Sequence, residues 1–278
     1  MKINNFITRT LTSIVFVAVL LSAIIYNPLT MGVLFTVITA MAVWEFGTIV
    51  NKSGRAQTNR FITTIAGAYL FVAIFSISWG NPLGYAVLIP YLITLIYLLI
   101  SELYLKQPDP MANWSYNLMS QLYVALPMAC INIISFFGDE HAYNCIFTLS
   151  VFFFLWAGDA GAYCVGSLIG KTPLFKRISP NKSWEGSIGG GVIAIVLAAV
   201  LSQFFSVLSI AEWIGLAITV VVFGTWGDLV ESLMKRTLGI KDSGNILPGH
   251  GGMLDRFDSS LLAFPAATVY LYTVLRIM

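Results

Sequence analysis

The sequence predicts an all-α fold: a polytopic membrane helical bundle of about nine transmembrane helices with a cytoplasmic N-terminus. Three observations carry this. Of the 278 residues 58% are hydrophobic and only 10% charged, with a mean hydropathy of +0.83. Apolar runs recur along the chain, each near the roughly 20 residues needed to cross a bilayer. Lys and Arg collect in alternate connecting segments, as cytoplasmic loops do.

Taken in order, the runs predict spans at about 10 to 27, 29 to 50, 61 to 79, 83 to 105, 116 to 137, 143 to 168, 187 to 209, 211 to 236 and 259 to 277. Lys2 and Arg9 before the apolar stretch from Leu11 to Tyr26 give the start the look of a signal peptide. No clear small-residue cleavage site follows, so the stretch is read as the first span. Residues 1–137 read as scaffold, with lipid access and dimer contacts, and residues 138–278 as the catalytic spans and loops of one integral-membrane domain. With the N-terminus inside, 14 of the 15 basic residues fall in inner segments and only Arg276 lies outside, which places the C-terminus outside. A net charge of +2, spread in short patches, argues against a nucleic-acid partner. Cys130, Cys145 and Cys164 are odd in number and lack metal-ligand spacing, so they read as small packing residues. No inverted repeat of the transporter kind is visible.

Ionisable residues inside spans are costly, so each marks a candidate site. Glu45, Asp159, Asp228 and Glu231 are of this kind. Asp228, Glu231, Ser232 and Lys235 share one helix face at i, i+3, i+4 and i+7, a pattern that also suits a plain Glu–Lys ladder. Asp159 stands among Gly158, Ala160, Gly161, Ala162 and Gly166, whose small size suits close helix packing. Glu45, near the inner end of the second span, suits snorkelling or pairing with a basic loop residue.

Two polar segments interrupt the apolar pattern. In KTPLFKRISPNKSWEGSIGGG, Pro180 blocks helix, Ser183 is placed to cap the seventh span, and Lys182 stands beside a helix N-terminus that favours an anion. In the run from Ser232 to Asp258, Gly244, Pro248, Gly249, Gly251 and Gly252 bracket His250, and Asp255 and Asp258 follow at i, i+3 at the start of the ninth span. Glycine turns before a helix expose amides to phosphate oxygens, and adjacent carboxylates can hold a divalent metal that offsets the same charge. His250 is assigned to phosphate binding, because phosphoryl and nucleotidyl transfer rely on positioning and charge neutralisation.

Ser232, Lys235, Arg236, Lys241, Asp242, Pro248, His250, Gly251, Gly252, Asp255, Arg256 and Asp258, in this order and spacing, resemble the C-terminal signature of the phosphatidate cytidylyltransferases (CDP-diacylglycerol synthases). SPNKSWEG and GDAGAYCVGSLIGK resemble that family's upstream motifs, with Ala160-Gly161 and Ser183 as small departures. The resemblance implies a Mg2+-dependent transfer of the cytidylyl group of CTP to phosphatidic acid, giving CDP-diacylglycerol and pyrophosphate, in an inner-membrane homodimer whose site faces the cytoplasm; it does not identify any second cation. Carried onto this sequence, it implies Asp228, Asp255, Lys235 and Arg236 as catalytic residues. Asp228 and Asp255, with Asp159 in support, are the implied metal ligands. Lys182, Ser232, Lys241, His250, Gly251, Gly252 and Arg256 are the implied substrate contacts. The competing readings are a CTP-dependent lipid-alcohol (polyprenol) kinase and, further off, an ion-coupled transporter.

Overall fold

The computed structural model describes residues 2–138, 141–244 and 251–277. Its helices are α1 (Lys2–Tyr26), α2 (Pro28–Lys52), α3 (Arg60–Ser78), α4 (Ile89–Leu105), α5 (Pro110–Ser120), α6 (Leu126–Ser135), α7 (Cys145–Ile169), α8 (Trp184–Phe204), α9 (Ile210–Thr237), α10 (Leu254–Phe257) and α11 (Ser260–Ile277). Among the described residues, seven helical stretches are long and apolar enough to cross a membrane. They match the second to eighth expected spans. The first has a shorter apolar helix, Thr10–Tyr26, and the ninth corresponds to the 18-residue α11. The chain is a polytopic, all-α membrane protein.

Local chemistry sets the helix boundaries. Asn27 caps α2 through a reciprocal box with Thr30, whose amide donates to Asn27 Oδ1 at 2.9 Å, and Pro28 occupies the first turn, where its missing N–H costs nothing. Asn59 and Asp109 cap α3 and α5 by the same bond, from the amides of Ile62 and Ala112. The fifth span is not one regular helix. Between α5 and α6, Gln121–Ala125 winds as a π-helix that ends two residues before Pro127, which has no N–H for the α-helical ladder.

The chain divides into two compact units. The first joins Met1–Cys145 to Thr237–Phe257. Its core contains Phe35, Phe46, Phe71, Met31 and Met128, all fully buried, and Phe257 meets the Phe35 ring edge-on at 6.2 Å. That contact fastens the short α10 to α2. Much of the outward surface of α4 is apolar, including Leu92, Ile93 and Ile96, as a helix facing lipid requires.

The second unit joins Ile146–Arg236 to Asp258–Met278. Trp213 of α9 packs edge-on to Phe154 of α7, and Phe152 does the same to Phe264 of α11. Helices α7 and α8 approach through their glycines: a Cβ on Gly161 would lie 3.0 Å from Gly190 Cα, and one on Gly186 would lie 2.8 Å from the Ala162 carbonyl oxygen. Close packing is therefore what these small residues do. Cys130 is buried as a packing residue should be, whereas Cys164 is exposed on α7, so the packing assignment fails there; all three cysteines are free thiols.

The loop before α8 departs from an all-helical pattern. It folds into a two-stranded antiparallel hairpin, β1 (Pro173–Phe175) with β2 (Ser179–Ser183). Glu185 secures its base, accepting from Thr172 Oγ1 at 2.8 Å and from the Lys171 and Thr172 amides at 3.2 Å.

Candidate active site

The second unit assembles a pocket from α7, β2, α8 and α9, with polar side chains set in a largely apolar wall. Ser183 ends the hairpin and caps α8, its Oγ accepting from the Gly186 amide at 3.1 Å. The cap fixes the position of Lys182, the residue before it, whose ammonium is ion-paired with Asp228. Asp228 lies on the last third of α9, where the helix also brings Ser232 one turn on, and the Ser232 hydroxyl donates to Asp228 Oδ1 at 3.1 Å. A cavity of about 480 Å³ opens beside this group, lined among others by Asp159, Asn181, Lys182, Ser183 and Thr225. Asp159, Lys182 and Asp228 thus come from three elements of one unit.

The rest of the α9 face behaves as a ladder. Lys235 Nζ pairs with Glu231 Oε2 at 2.6 Å, and Glu231 is completely buried. The sequence left this pairing open beside a phosphate role for Lys235. A lysine so placed would have to share or leave Glu231 to meet a phosphate. Arg236, next along, is exposed.

Asp258 was placed by its sequence spacing on one helix with Asp255. Instead α10 ends at Phe257 and α11 begins at Ser260, so the two acids are not on one helix. Asp258 belongs to the second unit, where the backbone of Asp258 and Ser259 runs so close to Gly227 that a Cβ there would lie 2.6 Å from the Asp258 carbonyl oxygen. Burial and then the negative charge of Asp228 push the Asp258 carboxyl up to about 7. Asp258 is the acid that sequence reasoning noted without giving it a role, and the signal for it was its place in the C-terminal signature.

The first unit holds the other part of the signature. Asp255 stands on α10, and its Oδ2 accepts from the amides of Ser243 and Gly252, both at 2.8 Å. The Gly252 amide is therefore committed to Asp255 rather than open to a ligand. Gly251 adopts φ +82°, a conformation that other residues rarely take. Among the described residues Glu45 has no basic partner, and it does not snorkel. It is buried and accepts from the Leu254 amide at 2.8 Å and from Ser243 Oγ at 3.3 Å. Lys241 and Arg256 are exposed in this unit, and His250 lies outside the described residues.

The sequence profile of the cytidylyltransferase family matches residues 7–274, nearly the whole chain. The chain belongs to this family. Among its relatives, the phosphatidate cytidylyltransferase of Haemophilus influenzae is 30% identical over 287 aligned residues, covering 96% of this chain and 99% of that protein. The phosphatidate cytidylyltransferase of Staphylococcus aureus (strain COL) is 31% identical over 95% of this chain and 98% of its own length. That of Bacillus subtilis reaches 51% identity over 129 residues, 46% of this chain and 47% of the relative. For a cytidylyltransferase, the pocket has suitable chemistry: the Asp159 carboxylate and several hydroxyls line it beside Lys182, whose ammonium is paired with Asp228.

Its oxygen donors suit a hard divalent cation. Among the described residues no three His, Cys, Asp or Glu side chains are grouped closely enough to hold a metal by themselves. Mg2+ does not demand such a cage, since it is commonly held by one or two carboxylates, water and substrate phosphates.

Proposed function

We propose that this protein transfers the cytidylyl group of CTP to phosphatidic acid, forming CDP-diacylglycerol and releasing pyrophosphate. The observation that carries the reading is the similarity to phosphatidate cytidylyltransferases across 95% and 96% of the chain. The pocket bearing Lys182, Asp228 and Asp159 supports it, because both reactants are polyanions whose repulsion must be offset before they meet.

In the reaction a phosphate oxygen of phosphatidate attacks the α-phosphorus of CTP. The new P–O bond forms as the bond from the α-phosphorus to the bridging α–β oxygen breaks, and pyrophosphate leaves with that electron pair. No redox step or base of unusual strength is required. Lys182 neutralises phosphate charge from its place beside the α8 N-terminus, and Ser232 orients Asp228. Asp228, with Asp159, would hold Mg2+ together with water and substrate phosphates, and the family signature assigns Asp255 to the metal; when bound, the ion would neutralise the triphosphate and draw charge from the leaving group. Lys235, Arg236, Lys241, His250 and Arg256 are carried over from the family signature as further phosphate contacts.

The same reading sets the protein in the inner membrane with the site on the cytoplasmic side, where CTP is found. Fourteen of the 15 basic residues fall in the segments assigned to that side. The acyl chains of phosphatidate remain in the bilayer while the headgroup meets Lys182 at the pocket.

The test is product identification with purified protein, phosphatidate, Mg2+ and CTP labelled at either the α- or the γ-phosphate. Label from the α position in the lipid product supports nucleotidyl transfer. Label from the γ position would replace it with a CTP-dependent lipid kinase.

A further inference from the structure

Glu45 lies on α2, some two hundred residues from the C-terminal signature, yet its carboxylate receives that signature at two points. Glu45 Oε2 accepts from the Leu254 amide at 2.8 Å and from Ser243 Oγ at 3.3 Å. Ser243 and Leu254 flank the glycine-rich segment, so a single oxygen fastens both of its ends. Glu45 and Ser243 are only 4% and 8% exposed, and Leu254 is fully buried, so neither donor has water as an alternative partner.

A second carboxylate works from the other side. Asp255 Oδ2 takes the amides of Ser243 and Gly252, and Ser243 thus donates its hydroxyl to Glu45 and its amide to Asp255. The glycines are sized for this arrangement. A Cβ on Gly244 would lie 2.5 Å from Glu45 Oε1, and one on Gly252 would lie 2.5 Å from Glu45 Oε2. Gly244 and Gly252 therefore serve the approach of Glu45, a role separate from exposing amides to phosphate.

We infer that Glu45 is a positioning residue for the reaction: it fixes Ser243 and Leu254 and, through Ser243, the carboxylate of Asp255. The inference rests on the assignment of Asp255 to the catalytic site under the proposed function. Charge-assisted hydrogen bonds from a rigid helix suit this task, because a small displacement of a catalytic group costs much of its effect. The N-terminal region is then more than a membrane scaffold, since α2 supplies the anchor for the part of the chain richest in polar signature residues.

The experiment compares the full-length protein with Glu45→Ala and Glu45→Gln in detergent or lipid nanodiscs, reading backbone hydrogen exchange and steady-state kinetics on the same samples. Glu45→Ala is expected to lose protection at Ser243 and Leu254 while the α2 and α3 peptides keep theirs. Its kcat falls on the order of 10- to 100-fold with little change in KM for phosphatidate. Glu45→Gln keeps an acceptor oxygen, so it retains loop protection and returns kcat to within about 3-fold of the unmodified protein. Unchanged protection at Ser243 and Leu254 in Glu45→Ala overturns the inference, and so does a rise in exchange spread evenly over the first unit. Lost protection with unchanged turnover also overturns it.

An Asp255→Asn control separates the two readings. Full turnover in that variant removes Asp255 from the catalytic site and with it the kinetic half of the inference. The exchange data still decide whether Glu45 holds the segment.

Discussion

Lys182 and Asp228 form an ion pair between the residue that precedes the α8 cap and the acid on α9 one turn before the start of the C-terminal signature at Ser232. Each side chain is a little over one-quarter exposed, and Lys182 lines the cavity. The pairing makes the two residues one functional unit, and that has a kinetic signature. Lys182→Ala and Asp228→Asn should each lower kcat/KM for CTP by about 10² to 10³. The double variant should lose little more than the worse single one, since residues acting together are non-additive. A double loss equal to the product of the single losses would mean that the two residues act independently.

Asp255 carries two burdens that substitutions can separate. Its Oδ2 ties down the Ser243 and Gly252 amides, and its charge is assigned to the metal. Asn retains an oxygen acceptor and loses the charge, so Asp255→Asn should insert and remain folded while incorporating no measurable CTP into lipid. Asp255→Ala should lose activity and, in addition, show faster hydrogen exchange at Ser243 and Gly252. Normal turnover in the Asn variant would show that the acid is only a loop fastener.

How far the sequence could disclose the site depended on the range of the forces involved. Ser183 as a cap and the shared face of Asp228 and Ser232 follow from chemistry within one helical turn, and both were legible. The span pattern was legible because hydrophobic runs of bilayer length leave few alternatives. The break between Asp255 and Asp258 was not, for no proline or glycine marks it. Nor was the partner of Glu45, which is 198 residues away in the chain and identified only by tertiary structure. The hairpin before α8 was hidden for another reason, since its strands are only three and five residues long, too short for an alternating pattern to stand out in the sequence.

Lys235 can be tested for a structural as against a catalytic share. Its ion pair is the partner of a carboxylate with no exposed surface, and uncovering a buried charge in this way costs about 3–5 kcal/mol. Lys235→Met should therefore lower the thermal midpoint in detergent as well as the activity. Adding Glu231→Gln removes the stranded charge and should recover most of the midpoint. If activity recovers with it, Lys235 serves the helix alone; activity that stays low places its ammonium on the substrate phosphates.

The approach of α7 to α8 sets the walls of the pocket, and it leaves no room for side chains at its centre. A Cβ at Gly190 would come within 3.1 Å of the Ala162 amide nitrogen and against the Gly158 carbonyl, neither of which can rotate away. Gly190→Val should force the helices apart, costing about 1–3 kcal/mol or more through overpacking. Gly191, on the same helix, meets nothing within 4 Å of an added Cβ. Gly191→Val, with the same change in composition and helix propensity, is the matched control. The thermal midpoint should fall for Gly190→Val and hold near the unmodified value for Gly191→Val. Equal losses at the two positions would trace the effect to helix propensity and not to the contact between α7 and α8.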